Sequence, residues 1–377
     1  MAGIYIHIPF CKTRCIYCDF YSTTRSELKE RYLHALCREL EMRRDYLHGE
    51  DIETIYLGGG TPSQLAEEDF RQVFDTIDKV YGTKHCREIT LEANPDDLTD
   101  EYVTMLRRLP FNRISMGIQT FDEATLKLLN RRHNATQAIE AVHRCRRAGF
   151  RNISIDLIYG LPGETDERWR RDLQQAVSLD VEHISAYHLI YEEGTRLYEL
   201  LQTHRIHEVD EDSSVRFFST LIDTLTAAGY EHYEISNFCK PDMHSRHNTS
   251  YWKGIPYLGC GPSAHSFDTR TREWNVASLE KYMQAIEAGN REFETEYRDY
   301  ATRYNECVMT ALRTLWGIPL DDLEQTFGTE RWQYCMDMAR PYLESGKLKI
   351  EDNCLRLTRE GIFVSDGIIS DLMFIEE

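Results

Sequence analysis

The sequence predicts an α/β protein built around a parallel sheet. Short apolar runs alternate with longer amphipathic segments, the alternation repeats six times, and glycine and polar residues collect directly after the runs. Repeated strand–helix alternation favours parallel strands joined by right-handed crossovers. In such folds ligands bind at the carboxyl ends of the strands, so we expect the functional residues there.

Each element of this alternation has its own signal. The predicted strands are runs rich in β-branched residues at 4–10, 54–57, 88–92, 113–118, 152–158 and 183–189. The predicted helices carry apolar residues three and four positions apart at 26–47, 66–81, 100–109, 122–149 and 166–179. The segment 122–149 is expected to form two helices that are broken near Asn134.

The C-terminal region is predicted to be mainly helical. Its helices are expected at 278–288, 302–315, 319–327 and 330–345, before a strand, turn and strand at 348–358 and a closing segment at 359–374. This order is typical of a winged-helix-like module, but it is not conspicuously basic, so a lid, docking or supporting role is expected. We divide the chain into 1–200, a connecting region at 201–275, and a C-terminal domain at 276–377.

Composition excludes several classes of partner. With 63 acidic against 44 basic residues in 377, the net charge of −19 gives nucleic acid no broad basic face. No apolar run approaches the roughly 18 residues that span a bilayer, so a cytoplasmic protein is expected; a transient membrane contact stays open. Eleven cysteines, an odd number, fit a reducing compartment with few disulfides.

Three thiols form the most informative motif. Cys11, Cys15 and Cys18 have the spacing C-x3-C-x2-C and directly follow the first predicted strand. A four-iron cluster held by three cysteines leaves one iron open to a ligand, whereas a structural zinc takes four protein ligands. The alternative is a zinc knuckle completed by His7 or by a remote cysteine.

Other strand ends supply glycines and polar side chains. They are GGGTP at 58–62, EANP at 92–95, GIQ at 117–119, and DLIYGLP at 156–162. The glycines allow backbone groups to approach a ligand closely, but no Gly-Lys-Ser/Thr follows as in a Walker loop. Taken singly, Glu92, Gln119, Arg131 and Asp156 are explained by default as solvated loop residues or ion pairs, but their shared location at the strand ends favours a site.

These motifs resemble those of the radical S-adenosylmethionine (SAM) superfamily. IHIPFC at 6–11, Tyr17 before the last thiol, GGGTPS at 58–63, EANP and DLIYGLP are similar to its oxygen-independent coproporphyrinogen III oxidase branch, over essentially the whole chain. The resemblance implies an incomplete (β/α)6 barrel, with a [4Fe-4S] cluster on Cys11, Cys15 and Cys18. It also implies SAM contacts from Tyr5, Tyr17, Gly59, Gly60, Thr61, Glu92, Gln119, Arg131 and Asp156.

Within that branch the chain resembles the HemW family of haem chaperones more than the oxidases. The oxidase pattern has a further cysteine where this chain has Phe20, and a longer segment before the cluster. HNTSYW at 247–252 is similar to the H-N-x-x-Y-W motif of haem binding in that family. The resemblance therefore implies haem as cargo, bound through His247, Tyr251 and Trp252, and recipient haemoproteins as partners.

Alternatives remain open for this region and for the function. Tyr251 and Trp252 could instead dock the segment onto the barrel while His247 makes a buried hydrogen bond. Cys239, His244 and His265 suggest zinc, but the spacing C-x4-H-x2-H fits no common zinc finger. The competing functions are decarboxylation of coproporphyrinogen III to protoporphyrinogen IX and radical chemistry on another tetrapyrrole; catalytic residues and oligomeric state stay unassigned.

Overall fold

The N-terminal half forms the predicted alternation of strands and helices. A computed structural model describes residues 1–375 of the chain. The elements of this half are β1 (Ala2–Ile8), α1 (Lys29–Met42), β2 (Ile52–Gly59), α2 (Glu67–Tyr81), β3 (Glu88–Ala93), α3 (Asp100–Leu106), β4 (Arg113–Gln119), α4 (Glu123–Leu128), α5 (Ala135–Arg147), β5 (Ile153–Tyr159), α6 (Asp166–Ser178) and β6 (His183–His188). β1 to β6 pair in this order and each is parallel to the next, as predicted.

The helix bounds follow local capping chemistry. The break in 122–149 is confirmed, because Asn134 caps the N-terminus of α5 in a reciprocal arrangement with Gln137. α1 is shorter than the predicted 26–47, since a 3₁₀ turn at Ser26–Leu28 precedes it and the chain turns after Met42.

The two faces of the sheet differ in character. One face carries the buried apolar residues of the strands, such as Ile6, Leu57, Leu91 and Ile155, which join the helices in one core. The opposite face carries polar side chains, because neighbouring strands are in register and side chains alternate along each strand. This polar face lines the interior of the barrel.

The chain from residue 196 to residue 297, which includes the connecting region, extends the sheet at both edges. Its elements are α7 (Arg196–Gln202), α8 (Glu211–Ala227), β7 (Glu231–Glu234), β8 (Asn237–Cys239), α9 (Arg246–Trp252), β9 (Tyr257–Cys260), β10 (His265–Phe267), β11 (Thr271–Asn275), α10 (Leu279–Glu287) and β12 (Phe293–Tyr297). The strand order is β12-β11-β10-β9-β1-β2-β3-β4-β5-β6-β8-β7. Within residues 1–375 the two ends of this order do not pair, so the barrel is incomplete.

The C-terminal region has its own apolar core. It consists of α11 (Tyr300–Leu312), β13 (Ile318–Pro319), α12 (Leu320–Glu344), β14 (Leu348–Glu351), β15 (Cys354–Leu357), α13 (Arg359–Ile362) and α14 (Ser365–Leu372). Gly328 has a positive φ of 74° and divides α12 into the two predicted helices. The predicted strand pair forms β14 and β15, and β13 adds a third antiparallel strand.

All eleven cysteines are free thiols. Of the helices found between residues 1 and 375, none has the length and apolarity that crossing a membrane requires.

Candidate functional site

The three-thiol loop leaves the carboxyl end of β1 and is held by backbone hydrogen bonds. The N–H of Cys11 donates to the carbonyl of Thr23 at 2.8 Å, and the N–H of Ile16 donates to the carbonyl of Leu129 at 3.2 Å. All three thiols keep partial solvent access. The loop therefore presents its sulfur atoms at the rim where the strands end.

Neighbouring elements direct polar hydrogens at two of these sulfurs. The Thr61 hydroxyl donates to Cys11 Sγ at 3.2 Å, and the Arg131 guanidinium donates to Cys15 Sγ at 3.3 Å. Hydrogen bonds to sulfur favour the thiolate, which is the form that binds a metal cluster. Burial acts in the opposite direction: it raises the pKa of Cys11, and it raises the pKa of Cys18 to about 11.

A structural zinc on this loop would need a fourth protein ligand besides the three thiols. His7, the candidate for that ligand, already has partners for its ring: the Tyr5 hydroxyl at 3.2 Å and the Tyr21 carbonyl at 2.8 Å. Three thiols without a fourth protein ligand suit a cluster with one open iron.

The barrel interior contains most of the residues expected to contact SAM. In β1, β3 and β5 a single residue is partly exposed while the rest of the strand is buried, and these residues are Tyr5, Glu92 and Asp156. In β4 the partly exposed residues are Gly117 and Gln119. The strands therefore open to a common interior space at their predicted ligand residues.

Glu92 ties the second and third strands together in this space. Its carboxylate accepts hydrogen bonds from the Tyr56 hydroxyl at 2.7 Å and from the Gly59 N–H at 3.1 Å. Desolvation inside the barrel raises the pKa of Glu92 to about 7. Glu92 therefore changes charge near neutral pH, next to the glycine turn.

The glycine turn is shaped by close contacts that only glycine permits. Gly59 has φ +101°, and a Cβ there would lie 2.5 Å from the His7 ring. A Cβ on Gly60 would lie 2.7 Å from the carbonyl oxygen of Ile8. The turn is thereby held against the end of β1, next to the thiol loop.

Arg131 connects the thiol loop with two other strand ends. Besides Cys15, its guanidinium donates to Asn94 Oδ1 at 2.9 Å and to the carbonyl of Gly117. Gln119, on the same strand as Gly117, has a φ of +73°. The strained backbone and the arginine together fix the position of this rim.

The remaining predicted contacts lie around the same opening. Desolvation raises the pKa of Asp156 to about 6, and the hydroxyls of Ser185 and Ser115 oppose that rise. Tyr17 packs on the small apolar cluster that contains Leu129 and Leu161. With Thr61 beside Cys11, all twelve predicted cluster and SAM residues border one region of the molecule.

The HNTSYW segment forms α9, which closes the opposite end of the barrel interior. The N–H groups of Arg246 and His247 donate to the Glu88 carboxylate at 3.0 and 2.9 Å. Glu88 is the first residue of β3, so α9 is held at the amino ends of the strands. The segment therefore lies below the predicted SAM residues.

His247 is buried and both of its ring nitrogens have partners. Nδ1 is 2.8 Å from the Thr54 hydroxyl and Nε2 is 2.8 Å from the Tyr251 hydroxyl. Burial lowers the pKa of His247 to about 3, so the ring is neutral. It also stacks on the Tyr56 ring, with centroids 5.1 Å apart.

Tyr251 and Trp252 instead face a large cavity. This cavity has a volume of about 1060 Å³ and lies between the barrel and the C-terminal region. Aromatic side chains from both parts line it, among them Phe20, Tyr251, Trp252 and Trp316. Its cationic lining residues are Lys253, Arg272, Arg298 and Arg303.

Sequence reasoning missed several residues of the barrel interior. Tyr56 links His247 to Glu92, and its position two residues before the triple glycine on a predicted strand could have indicated that it faces the interior. Arg113 is buried at the barrel floor, and two of its nitrogens lack hydrogen-bond partners. Its place at the first residue of a predicted strand carried no comparable signal.

The chain matches two family models. Residues 5–176 match the model of the radical SAM superfamily. Residues 299–364 match the model of the HemN C-terminal domain.

Two relatives are similar over nearly their whole length. The heme chaperone HemW of Bacillus subtilis is 34% identical, over 98% of this chain and 98% of the relative. The heme chaperone HemW of Mycobacterium tuberculosis is 33% identical, over 98% of this chain and 94% of the relative.

One solved structure shares the fold over nearly the whole chain. Coproporphyrinogen III oxidase (HemN) from Escherichia coli superposes with a TM-score of 0.85, covering 99% of this chain and 90% of that one at 22% identity. A likeness at this identity shows the fold and leaves the activity to the site residues.

Proposed function

This chain belongs to the HemW family of radical SAM proteins, and from that premise we propose that it is a haem chaperone that also binds a [4Fe-4S] cluster and SAM. The observation that carries the haem assignment is the aromatic cavity that borders the HNTSYW helix. Haem held there is passed on to recipient haemoproteins.

Cys11, Cys15 and Cys18 hold the cluster. Bound there with one iron open, the cluster would supply the single electron for reductive cleavage of SAM. The protein's own part is to position the thiol loop, and Thr61 and Arg131 donate hydrogen bonds to two of its sulfurs. Arg131 also ties this loop to the ends of β3 and β4.

The polar interior beside the thiols binds SAM. Gly59 and Gly60 bring backbone groups to the end of β1, where they can meet an amino acid moiety. Glu92 and Asp156 offer carboxylates to the ribose hydroxyls and to the sulfonium charge. The other proposed contacts, each bordering the same opening, are Tyr5, Tyr17, Thr61, Gln119 and Arg131.

The large cavity suits a flat, mostly apolar ligand with acidic side chains. Its volume of about 1060 Å³ is just above the usual range of small-molecule sites, about 300–1,000 Å³. Tyr251 and Trp252 offer ring surfaces to the macrocycle. Lys253 and Arg303 are exposed cations at this cavity and can pair with propionates.

Within the proposed haem-binding segment, we assign direct contact to Tyr251 and Trp252. His247 holds the Tyr251 hydroxyl in place through the 2.8 Å hydrogen bond to its Nε2, and it is only 1% exposed. His247 is therefore a positioning residue in this arrangement.

An anaerobic haemin titration of the cluster-loaded protein tests the proposal. We expect saturation near one equivalent and about tenfold weaker binding in Trp252→Leu, because losing an aromatic wall removes roughly 1.5 kcal/mol. Trp332→Leu is the matched control, since Trp332 packs in the C-terminal core away from the cavity. Unsaturable binding, or equal weakening in both variants, would contradict the cavity assignment.

A second variant separates the two roles of His247. If His247 is a positioning residue, His247→Ala should bind haem more weakly, and the absorption spectrum of the bound ferric haem should be unchanged. A changed spectrum would instead identify His247 as the axial ligand, because that spectrum reports the ligand to iron.

A further inference from the structure

We infer that Glu231, Cys239 and His244 form a binding site for a zinc-like divalent cation, separate from the cluster thiols. One ligand atom from each residue can be chosen so that all three lie within 4.8 Å of one another. Cysteine, histidine and carboxylate are the ligand types that zinc takes in proteins. This site goes beyond the proposed handling of haem and SAM.

The fold brings the three residues together from separate stretches of chain. Glu231 on β7 and Cys239 on β8 are directly opposite each other in the antiparallel pair, so their side chains share one face. His244 follows in the loop after β8 and returns to that face. The spacing of Cys239 and His244 in the sequence does not predict the site, because the third residue, Glu231, lies on the other strand of the hairpin.

The contact between His244 and Glu231 suits a shared cation better than a hydrogen bond. Its Nε2 is 2.8 Å from Glu231 Oε2, yet this buried nitrogen makes no hydrogen bond of acceptable geometry. Two ligands of one zinc ion, each about 2.1 Å from it, approach each other to about 3.4 Å without a shared proton. A small rotation of either side chain gives that separation.

Charge and burial also suit a divalent ion. A thiolate, a carboxylate and a neutral imidazole together balance two positive charges. Cys239 is fully buried, whereas the side chains of His244 and Glu231 are 26% and 43% exposed. The cation can therefore enter from the Glu231 side and reach the Cys239 sulfur, which is buried from solvent.

An aromatic ring packs against the histidine of this site. The rings of Tyr233 and His244 lie edge to face with centroids 4.7 Å apart. A fourth coordination position is left for water, as in zinc sites with three protein ligands.

A cation here would fasten the hairpin to the start of α9. Ser245, the residue after His244, caps α9 through its hydrogen bond from the Asn248 N–H. The ion therefore links β7 and β8 to the helix that carries His247, Tyr251 and Trp252.

The test is zinc binding by the anaerobic, cluster-loaded protein. Zn²⁺ is added, loosely held ion is removed by gel filtration, and zinc and iron per chain are measured together. We expect one zinc per chain, retained beside a full complement of iron. Zinc X-ray absorption should show a single sulfur ligand with nitrogen and oxygen ligands.

Variants locate the ion. Cys239→Ala should lose the zinc, and Glu231→Gln should weaken binding by more than about tenfold, since even outer-shell partners are worth that much. Cys145→Ala is the matched control, because Cys145 is a buried thiol in the apolar core. Because the Glu231 side chain is partly exposed, Glu231→Gln should fold, and it therefore tests the site even if Cys239→Ala does not fold.

Three results would overturn the inference. They are no retained zinc in the parent protein, unchanged zinc in Glu231→Gln, or a spectrum with several sulfur ligands. The last result would place the ion on the cluster loop. None of these results bears on the haem titration, so the two proposals fail independently.

Discussion

At the scale of single residues, Glu92 connects the two ends of the barrel interior. It accepts hydrogen bonds from Gly59 at the rim and from Tyr56, whose ring stacks on His247 at the floor. A continuous series of contacts thus runs from α9 to the glycine turn. Sequence motifs predicted the residues at both ends of this series, but no motif predicted Tyr56 between them.

The pKa of Glu92 predicts how SAM binding depends on pH. Because desolvation raises this pKa to about 7, the carboxyl is protonated below that pH and loses its charge. Binding of cationic SAM favours the ionised form, so affinity should fall about fourfold as pH decreases from about 8 to about 6.5. Equilibrium dialysis of SAM under anaerobic conditions measures this.

Glu92→Gln is the control for that experiment. Glutamine keeps the size and one acceptor oxygen but does not titrate, so the variant should bind SAM more weakly and with almost no slope over this range. A parent protein whose SAM affinity is flat across the same pH range would contradict the role given to Glu92.

The thiol loop predicts a selective loss of iron. Cys15→Ala removes one thiolate and leaves the Arg131 cation without its sulfur acceptor. We expect the reconstituted variant to hold less iron and sulfide and to lose the brown colour of the cluster. Cys354→Ala, a partly exposed thiol on β15, should retain both. Full iron and sulfide in Cys15→Ala would disprove the three-thiolate site.

At the scale of elements, the six parallel strands could be predicted because each is a buried apolar run with its own local signal. β4 and β5, for example, are buried at nearly every position. The short strands β7 to β12 lack that signal. They depend on distant partners, such as Glu39 of α1, which accepts hydrogen bonds from the Asn275 side chain and from the N–H of Gly261.

α9 illustrates the same limit within the candidate site. Its motif was evident, but its burial at the barrel floor depends on Glu88, which lies about 160 residues earlier in the chain and accepts two of its N–H groups. A motif indicates which residues act together. It does not indicate whether a histidine faces solvent, a cavity or a hydrogen-bond partner.

This dependence predicts that Glu88 stabilises α9. Glu88→Ala leaves two helix N–H groups without an acceptor at a position that is 3% exposed. Because each buried unsatisfied group costs about 1–3 kcal/mol, the free energy of unfolding should decrease by at least about 2 kcal/mol. Urea denaturation measures the change, and haem affinity should decrease with it.

Glu53→Ala is the matched control. Glu53 also lies near α9, but its ion pair with Arg246 is 3.7 Å long and the Arg246 side chain is 49% exposed. Such a pair contributes about 0–1 kcal/mol. Equal destabilisation by the two variants would mean that Glu88 does not act through α9.

At the scale of the whole molecule, the cavity arises where two apolar cores meet. The C-terminal region joins the barrel extension through backbone hydrogen bonds between Ile235 and Arg313 and between Leu315 and Tyr233. The cavity wall combines segments near residues 20, 252 and 310. No sequence pattern predicts such a junction, although the aromatic motif on one side of it was recognised.

The most direct test of the haem-chaperone assignment is an anaerobic transfer experiment with the cluster-loaded, haem-loaded protein. Haem should move to an apo-haemoprotein acceptor. In a second reaction, the same sample is given coproporphyrinogen III, SAM and a reductant, and it should form no protoporphyrinogen IX. Decarboxylation of coproporphyrinogen III, or haem that stays bound in the presence of the acceptor, would contradict the account.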